Sequence, residues 1–303
     1  WGISFMRMLD MSNDSGLFRT VAQLSADGAQ RDGPNWSDRS KNIWVPLYEA
    51  KMVHQFDHRW ATYEDNGTDS RDMTDTEKTD PSKSAQPRYW VKKSDVDLAL
   101  QDRQTRNWLL GFRGITNATN ERSFISAIAP KVAAGNSFPL FLLNIDPQKV
   151  AALVGNFSCL AFDFVARQKI GGSNLNLFLV RQFPALQPDK YSGEDIKFVV
   201  SRVLELTYTA NDLAPFANDL GYKGKPFPWA PDRRAILRAE LDAYYAKLYG
   251  LTRDELRYIL DPSDIYGDDY PSVTFPGLKR NEIRDFGEYR TQRLVLEAWD
   301  KYC

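Results

Sequence analysis

The amino-acid sequence predicts an α+β fold, in which a mixed α/β part over residues 1–188 precedes a helical region over residues 189–303. Apolar runs bounded by Asn, Gly or Pro predict strands at Trp108–Ile115, Ser123–Ala129 and Phe138–Leu143. Apolar residues at helical spacing predict helices over Glu194–Tyr208 and Arg233–Tyr249. Strands that come early and helices that come late are typical of the α+β class.

Further elements are predicted on the amino-terminal side of this division. Residues 1–10 alternate loosely and predict a strand, and Leu17–Leu24 predicts a short helix. Pro147 opens a long predicted helix over Gln148–Gln168, and two glycines follow its end. The next stretch, Asn174–Gln182, alternates leucines with polar residues and predicts a strand.

Later in the chain, start signals mark two further helices. Thr252 and Glu255 have the spacing of a capping box, in which Thr252 caps the helix and Glu255 reaches back to its amide. A last helix is predicted over residues 287–302.

One segment is strongly acidic and low in complexity. Glu64–Asp80 holds seven acids and two bases, which leaves the rest of the chain weakly basic. Residues 64–87 are predicted to form a mobile surface loop, because they offer too little apolar surface to offset the entropy of ordering them.

The composition excludes several classes of protein. Hydrophobic residues make up 43% of the 303 residues, which suffices for a packed core, so wholesale disorder is excluded. No apolar run approaches the roughly eighteen residues that a membrane span needs. Two cysteines, Cys159 and Cys303, provide no disulfide framework and favour a reducing cytoplasm. The net charge of −1 requires any DNA contact to use a local patch.

Five stretches of the chain form an ordered set: RMLDMSNDSGLFRT (Arg7–Thr20), PLYEAKMVHQFDHR (Pro46–Arg59), FRGITNATNER (Phe112–Arg122), FDFVARQKIGGSNLN (Phe162–Asn176) and LDAYYAKLYGLTRDELRYIL (Leu241–Leu260). Taken in this order, they resemble the carboxy-terminal half of large adenine-specific DNA methyltransferases of type IIG restriction-modification and related phage-defence systems. The resemblance implies that residues 1–188 form a DNA target-recognition domain.

The resemblance also implies which parts lie elsewhere in the parent polypeptide. The family's amino-terminal methyltransferase domain carries a Gly-rich loop for S-adenosylmethionine and a catalytic Asn-Pro-Pro-aromatic motif. The present sequence contains no Pro-Pro dipeptide. We therefore expect Trp1 to lie inside a longer protein, the chain to hold no cofactor and no catalytic residue, and its partners to be double-stranded DNA and that upstream domain.

The first candidate DNA-binding segment is the connection between two predicted strands. Phosphate contacts use Arg, Thr and backbone amides, while Asn reads adenine edges. The segment provides these types in Arg113, Thr116, Asn117, Thr119, Asn120 and Arg122. Its residues equally suit a structural turn stitched by its own Asn and Thr side chains, and both interpretations stay open.

The second candidate segment is the end of the predicted long helix and the two glycines beyond it. Glycine lets a backbone approach a phosphate or base closely. An ordinary glycine cap, with basic residues answering the helix dipole, explains the same pattern. The candidate residues are Arg167, Gln168, Lys169, Gly171, Gly172 and Asn174.

Two further motifs carry weaker signals. Lys51 and Arg59 are candidate phosphate contacts that flank His54 and His58. These histidines would form half a zinc site on a helix, but no third histidine exists, so no metal site is predicted. Asp189, Asp195 and Lys197 loosely match a metal-dependent nuclease pattern. Because the second half of this pattern starts an amphipathic helix, we interpret Glu194 and Asp195 instead as acids of its first turn. A protein-interaction or scaffold domain of a phage-defence complex is the alternative function.

Overall fold

Short strands and helices alternate along the first half of the chain, and helices follow. The computed structural model describes residues 1–270 and 273–303. Its strands are β1 (Ser4–Met6), β2 (Gln30–Asp32), β3 (Asn35–Ser37), β4 (Ile43–Tyr48), β5 (Ala61–Tyr63), β6 (Ser70–Asp72), β7 (Trp90–Lys92), β8 (Trp108–Phe112), β9 (Ser126–Pro130), β10 (Ala133–Ala134) and β11 (Leu140–Leu142). Its α-helices are α1 (Val21–Ala26), α2 (Asp75–Lys78), α3 (Lys93–Leu100), α4 (Pro147–Ser158), α5 (Leu160–Lys169), α6 (Leu177–Val180), α7 (Gly193–Thr207), α8 (Ala214–Asp219), α9 (Pro231–Leu248), α10 (Arg253–Leu260), α11 (Ser263–Tyr266), α12 (Pro276–Phe286) and α13 (Arg290–Tyr302). The predicted α+β class is confirmed.

The chain divides into two compact units. Unit 1 comprises Trp1–Gly114, Ser126–Pro147 and Leu204–Trp229. Unit 2 comprises Ile115–Ile125, Gln148–Val203 and Ala230–Cys303. The boundary at residue 188 that the sequence predicts lies inside unit 2, because the chain passes between the units more than once.

Unit 1 contains the sheets. One sheet has the order β1-β11-β8-β9 and is antiparallel throughout. A second runs β10-β4-β3-β2, with β7 also paired to β4, and only its β10–β4 pair is parallel. The three strands predicted between residues 108 and 143 are confirmed as β8, β9 and β11, although their ends differ from the prediction by up to three residues.

Segment 64–87, predicted to be a mobile loop, contains regular structure. Strand β6 pairs with β5, and a capping box of Thr74 and Glu77 starts α2. Lys78 of α2 is buried and its ammonium lies 2.7 Å from the Asp57 carboxylate. Although the segment is poor in apolar residues, polar contacts inside unit 1 therefore bind it to the rest of the unit.

The Arg59 side chain holds segment 64–87 by binding backbone carbonyls of the segment. The side chain is 0% exposed. Its two terminal nitrogens donate to four carbonyl oxygens, those of Lys78, Asp80, Lys83 and Thr209, at 2.8–3.1 Å. A planar guanidinium with several fixed donors can satisfy carbonyls that would otherwise be buried without partners.

The single long helix predicted over Gln148–Gln168 is wrong, because unit 2 has two helices there. Residues 148–168 do not form one helix, because α4 and α5 are separated by Cys159 in an extended conformation and are bent by 61°. The free amide of Leu160 at the start of α5 donates to the Asp242 carboxylate at 2.7 Å. This side chain from α9 stabilises the break, since the first amides of a helix lack partners within it.

Among residues 1–270 and 273–303, no single helix is long and apolar enough to cross a membrane. Only the bent pair α4–α5, with its two helices taken together, reaches that length and apolar composition.

The predicted strand over Asn174–Gln182 is also corrected. Only Asn174 makes a bridge, to Ile115, and α6 follows at Leu177. The alternation of leucines covers too few residues to distinguish a strand from one helical turn. Elsewhere in unit 2 a local signal predicted the start of a helix correctly: the capping box of Thr252 and Glu255 is confirmed at the start of α10.

Replacing Arg59 by lysine is predicted to lower the free energy of unfolding by about 3 kcal/mol, because one ammonium cannot reach carbonyls that a guanidinium bridges. Chemical denaturation measures the change, and limited proteolysis between Lys78 and Lys83 should become faster. Arg31→Lys is the control, since that exposed arginine binds the Gln86 side chain. Equal stability of the two variants would contradict the role assigned to Arg59.

Candidate nucleic-acid interface

Two buried carboxylates of unit 2 organise the candidate site. Asp163, in the first turn of α5, is 0% exposed and accepts hydrogen bonds from the amides of Ser123 and Phe124 at 2.6–3.1 Å. The guanidinium of Arg167, one turn further along α5, lies 3.0 Å from the same carboxylate. Because a buried carboxylate needs partners for its oxygens, Asp163 fixes the loop at residues 123–124 onto α5.

Arg167 extends this connection to the tip of the loop. Its terminal nitrogens donate to the carbonyls of Ala118, Asn120 and Glu121 at 2.7–3.0 Å. The guanidinium also lies 4.5 Å from the ring centroid of Phe275. All of these donors point into unit 2, so Arg167 holds the loop in place from inside.

A second buried ion pair lies beside the first. Arg122 and Asp242 are both buried, and their side chains approach to 3.3 Å. Burial alone lowers the pKa of Arg122, but the carboxylates of Asp242 and Asp163 outweigh it and leave that pKa above its ordinary value. Arg122 is thus a charged residue of the interior.

The loop is further fixed by its own contacts. The Thr116 hydroxyl donates to the Ser123 carbonyl, and the Thr116 amide donates to the Ser173 carbonyl at 2.9 Å. Asn117 accepts hydrogen bonds from the amide and the hydroxyl of Thr119 at 2.9 and 3.0 Å. This is the stitched turn that the sequence admitted as an alternative, and it leaves the outer edges of Asn117 and Thr119 exposed.

The structure brings the two predicted segments together. Residues 115–116 pair with residues 173–174, and Arg167 binds the loop carbonyls. The resulting exposed area, which we call the polar surface, consists of Asn117, Thr119, Asn120, Gln168, Lys169, Gly171, Gly172, Ser173 and Asn174. Of the predicted residues in unit 2, Thr116, Arg122 and Arg167 lie beneath this surface and support it.

The conformations of Gly171 and Gly172 bear on the two interpretations of their segment, which were a glycine cap of the helix and a close approach of the backbone to DNA. A glycine cap requires a left-handed residue at the helix end. Neither Gly171 nor Gly172 has a positive φ, and the residue that ends α5 is Ile170 in an extended conformation. A Cβ atom added at either glycine would meet no atom within 4 Å. Neither backbone conformation nor packing within the chain therefore explains the glycines.

The remaining predicted residues belong to unit 1. Arg59, predicted as a phosphate contact, is instead fully buried, and its terminal nitrogens donate to four backbone carbonyls. Arg113 is partly buried and donates to the Val53 carbonyl at 2.7 Å, and burial lowers its pKa to about 10, so it is charged at neutral pH. Lys51 is exposed, contacts Ser70 and lies 4.6 Å from the Tyr63 ring centroid.

Both histidines of the His54–His58 motif contact side chains within unit 1. His58 lies 2.8 Å from the Asp212 carboxylate, and His54 packs on the Trp60 ring at 4.3 Å. Over residues 1–270 and 273–303, no group of three His, Cys, Asp or Glu side chains is placed to hold a metal ion.

Sequence reasoning missed the contribution of α12. A Cβ atom at Gly277 would lie 2.8 Å from the Thr119 carbonyl oxygen, so the start of α12 packs directly on the loop. Asn281 donates to the Glu121 carboxylate, and Arg280 is exposed one turn after Pro276. The Pro-Gly pair at 276–277 signals a helix start, but nothing in the sequence indicates which loop it contacts.

Comparison with protein-family models, with curated proteins and with solved structures finds no match for this chain.

Replacing Asp163 by asparagine is predicted to release the loop, because one amide oxygen cannot replace a carboxylate that accepts from two amides and pairs with Arg167. Hydrogen exchange at the amides of Ser123 and Phe124 should accelerate, and the free energy of unfolding should fall by roughly 3 kcal/mol. Asp189→Asn, at an exposed acid of unit 2, is the control. Unaltered exchange at both amides would show that Asp163 does not hold the loop.

Proposed function

We propose that this chain is the DNA target-recognition part of an adenine-specific DNA methyltransferase of the restriction-modification type. In this proposal its partners are double-stranded DNA and the methyltransferase domain of the same polypeptide, in the cytoplasm where such systems act. The observation that carries the proposal is the polar surface, whose two glycines have no role inside the chain.

The side chains of the polar surface suit both tasks of a recognition module. Backbone amides next to the glycines and the ammonium of Lys169 are donors for phosphate, which sets the register on the duplex. Asn and Gln side chains pair with the adenine edge in the major groove, and Asn117, Asn120, Gln168 and Asn174 offer four such groups. The buried contacts of Arg167 and Asp163 keep these groups in place before DNA arrives.

The charge near the polar surface is favourable as well. Residues Phe164–Pro188 contain no acidic side chain and include the exposed Lys169 and Arg181, while the charge of Arg167 is paired with Asp163 in the interior. Residues Arg113–Asn120 are also free of acids, and the carboxylate of Glu121 receives a hydrogen bond from Asn281. An anionic duplex therefore meets a locally cationic face on a chain whose net charge is −1.

A specific observation supports the alternative function, a protein-interaction domain of a phage-defence complex. Tyr258, Tyr266 and Tyr270 form an aromatic cluster in unit 2, in which Tyr266 and Tyr270 stack at 5.0 Å. Tyr266 is exposed and the other two are half-buried, and tyrosine is enriched at protein interfaces. DNA binding discriminates the two functions, because only DNA recognition predicts an affinity for duplex DNA that falls steeply with salt.

Replacing both Gly171 and Gly172 by alanine is predicted to change stability and DNA binding in opposite directions. Folding should be unaffected or stabilised by about 0.4–1 kcal/mol per site, because the native backbone accepts alanine there. Affinity for duplex DNA at low salt should fall roughly tenfold, because the methyl groups keep phosphate from the backbone amides.

The matched control is Gly193→Ala at the start of α7, another glycine without a positive φ or a neighbour within 4 Å of its Cβ position. Fluorescence anisotropy over a salt titration measures the affinity, and thermal unfolding measures the stability. If the double variant binds as tightly as the control, the glycines do not approach DNA and the polar surface loses its main support.

The isolated chain is predicted to bind no S-adenosylmethionine and to transfer no methyl group. Methyl transfer needs the cofactor and polar groups that hold a flipped adenine in line with the methyl. In this chain Gly171 and Gly172 follow a helix, whereas a nucleotide-binding loop opens one after a strand. Calorimetry with the cofactor and a labelled-methyl assay on DNA measure the two activities. Stoichiometric cofactor binding would contradict the proposed division of labour.

A further inference from the structure

Phe178 is an exposed aromatic side chain beside the polar surface. It lies in α6, and 74% of its surface is exposed, whereas Leu175 and Val180 of the same segment are buried. The turn therefore buries Val180, leaves Leu177 and Leu179 half-buried and exposes its largest apolar side chain to solvent. Core packing gives no reason for a phenylalanine at this position.

Hydrogen bonds connect Phe178 with the cationic end of α5. The Lys169 ammonium donates to the Gln182 side-chain oxygen at 3.5 Å, and the side-chain nitrogen of Gln182 donates to the Phe178 backbone carbonyl at 3.2 Å. The segment before α6 is held by the bridge between Asn174 and Ile115. The turn that carries the ring is thus anchored on both sides, and the Gln182 side chain links its backbone to a lysine of the polar surface.

Charge identifies the kind of partner that this ring meets. Phe178 lies in the middle of the acid-free stretch Phe164–Pro188, with Lys169 before it and Arg181 after it. A polyanion that presents flat apolar faces between its charges complements an exposed ring in an acid-free stretch that has a cation on either side of it in sequence. Duplex DNA has both properties, because its stacked bases lie between two rows of phosphates.

We propose that Phe178 inserts between adjacent base pairs of the bound duplex and unstacks them. This inference rests on the proposed function and extends it, because removal of an adenine from the helix requires that its stacking be broken. A ring inserted beside the flipped base compensates for the lost stacking and holds the gap open. Phe178 is a positioning residue in this role, and the methyl transfer takes place in the upstream domain.

The experiment compares two short duplexes of one sequence, one fully paired and one with a single central mismatch. The mismatch lowers the cost of unstacking, so an inserting protein prefers it. A fluorescent adenine analogue next to the mismatch reports local stacking. The unmodified chain should bind the mismatched duplex more tightly and change the emission of the analogue.

Phe178→Ala should abolish this preference and lower affinity for the mismatched duplex by roughly 5- to 150-fold, the range of one lost aromatic–base stack. It should leave the salt dependence unchanged, since no charge is removed. Phe178→Trp should retain the preference, because a larger ring also inserts. Phe286→Ala is the control, as it removes an exposed phenylalanine from α12 of the same unit.

The failures of the two proposals are distinguishable. Salt-dependent binding without a preference for the mismatch, or a preference that survives Phe178→Ala, would overturn the insertion and leave DNA recognition intact. If the unmodified chain binds neither duplex, the proposed function fails and the insertion fails with it. Loss of the preference in Phe286→Ala as well would also overturn the assignment to Phe178.

Discussion

The pairing of Asp163 with Arg167 is the interaction on which the proposed interface depends. Its carboxylate binds the amides at residues 123–124, and its guanidinium binds the carbonyls at residues 118–121, so together they hold both ends of one loop. A buried charge without its partner is costly, so neither half of the pair tolerates loss of the other. The same pair therefore determines where Asn117 and Asn120 face solvent.

The break between α4 and α5 belongs to the same arrangement. In a continuous helix the Leu160 amide would be bonded within the helix and could not donate a hydrogen bond to the Asp242 carboxylate. Because Asp242 also pairs with Arg122, the start of α5 and the end of the loop are tied to one side chain of α9. Helix geometry and loop position thus follow from a few buried charges, which is why the long helix predicted from Pro147 and the two glycines is interrupted at Cys159.

Local signals predicted the fold class, strands β8, β9 and β11 and the capping box of α10, because each depends on neighbours in sequence. Whether an arginine lies in the interior or on a DNA-binding surface could not be predicted from neighbours in sequence. Arg59, Arg122 and a phosphate-binding arginine have the same chemistry, and the partner of Arg122 lies 120 residues away. For Gly171 and Gly172 the sequence left two interpretations, and the absence of a positive φ disfavours the helix cap.

Net charge is a poor guide to partners in this chain because many of its charges are internal. Lys78 and Asp57, Arg122 and Asp242, and Arg167 and Asp163 are pairs in which both members are buried, so they cancel without reaching solvent. The field that an approaching polyanion meets depends on exposed charge alone. Around the polar surface that charge comes from Lys169 and Arg181 in a stretch without acids, while Glu64–Asp80, with most of the chain's clustered acids, belongs to unit 1. A chain with a formal charge of −1 can therefore present exposed cations in one region. Because these cations are few, the proposed DNA complex depends more on the uncharged contacts that we propose for the glycines, the asparagines and Phe178.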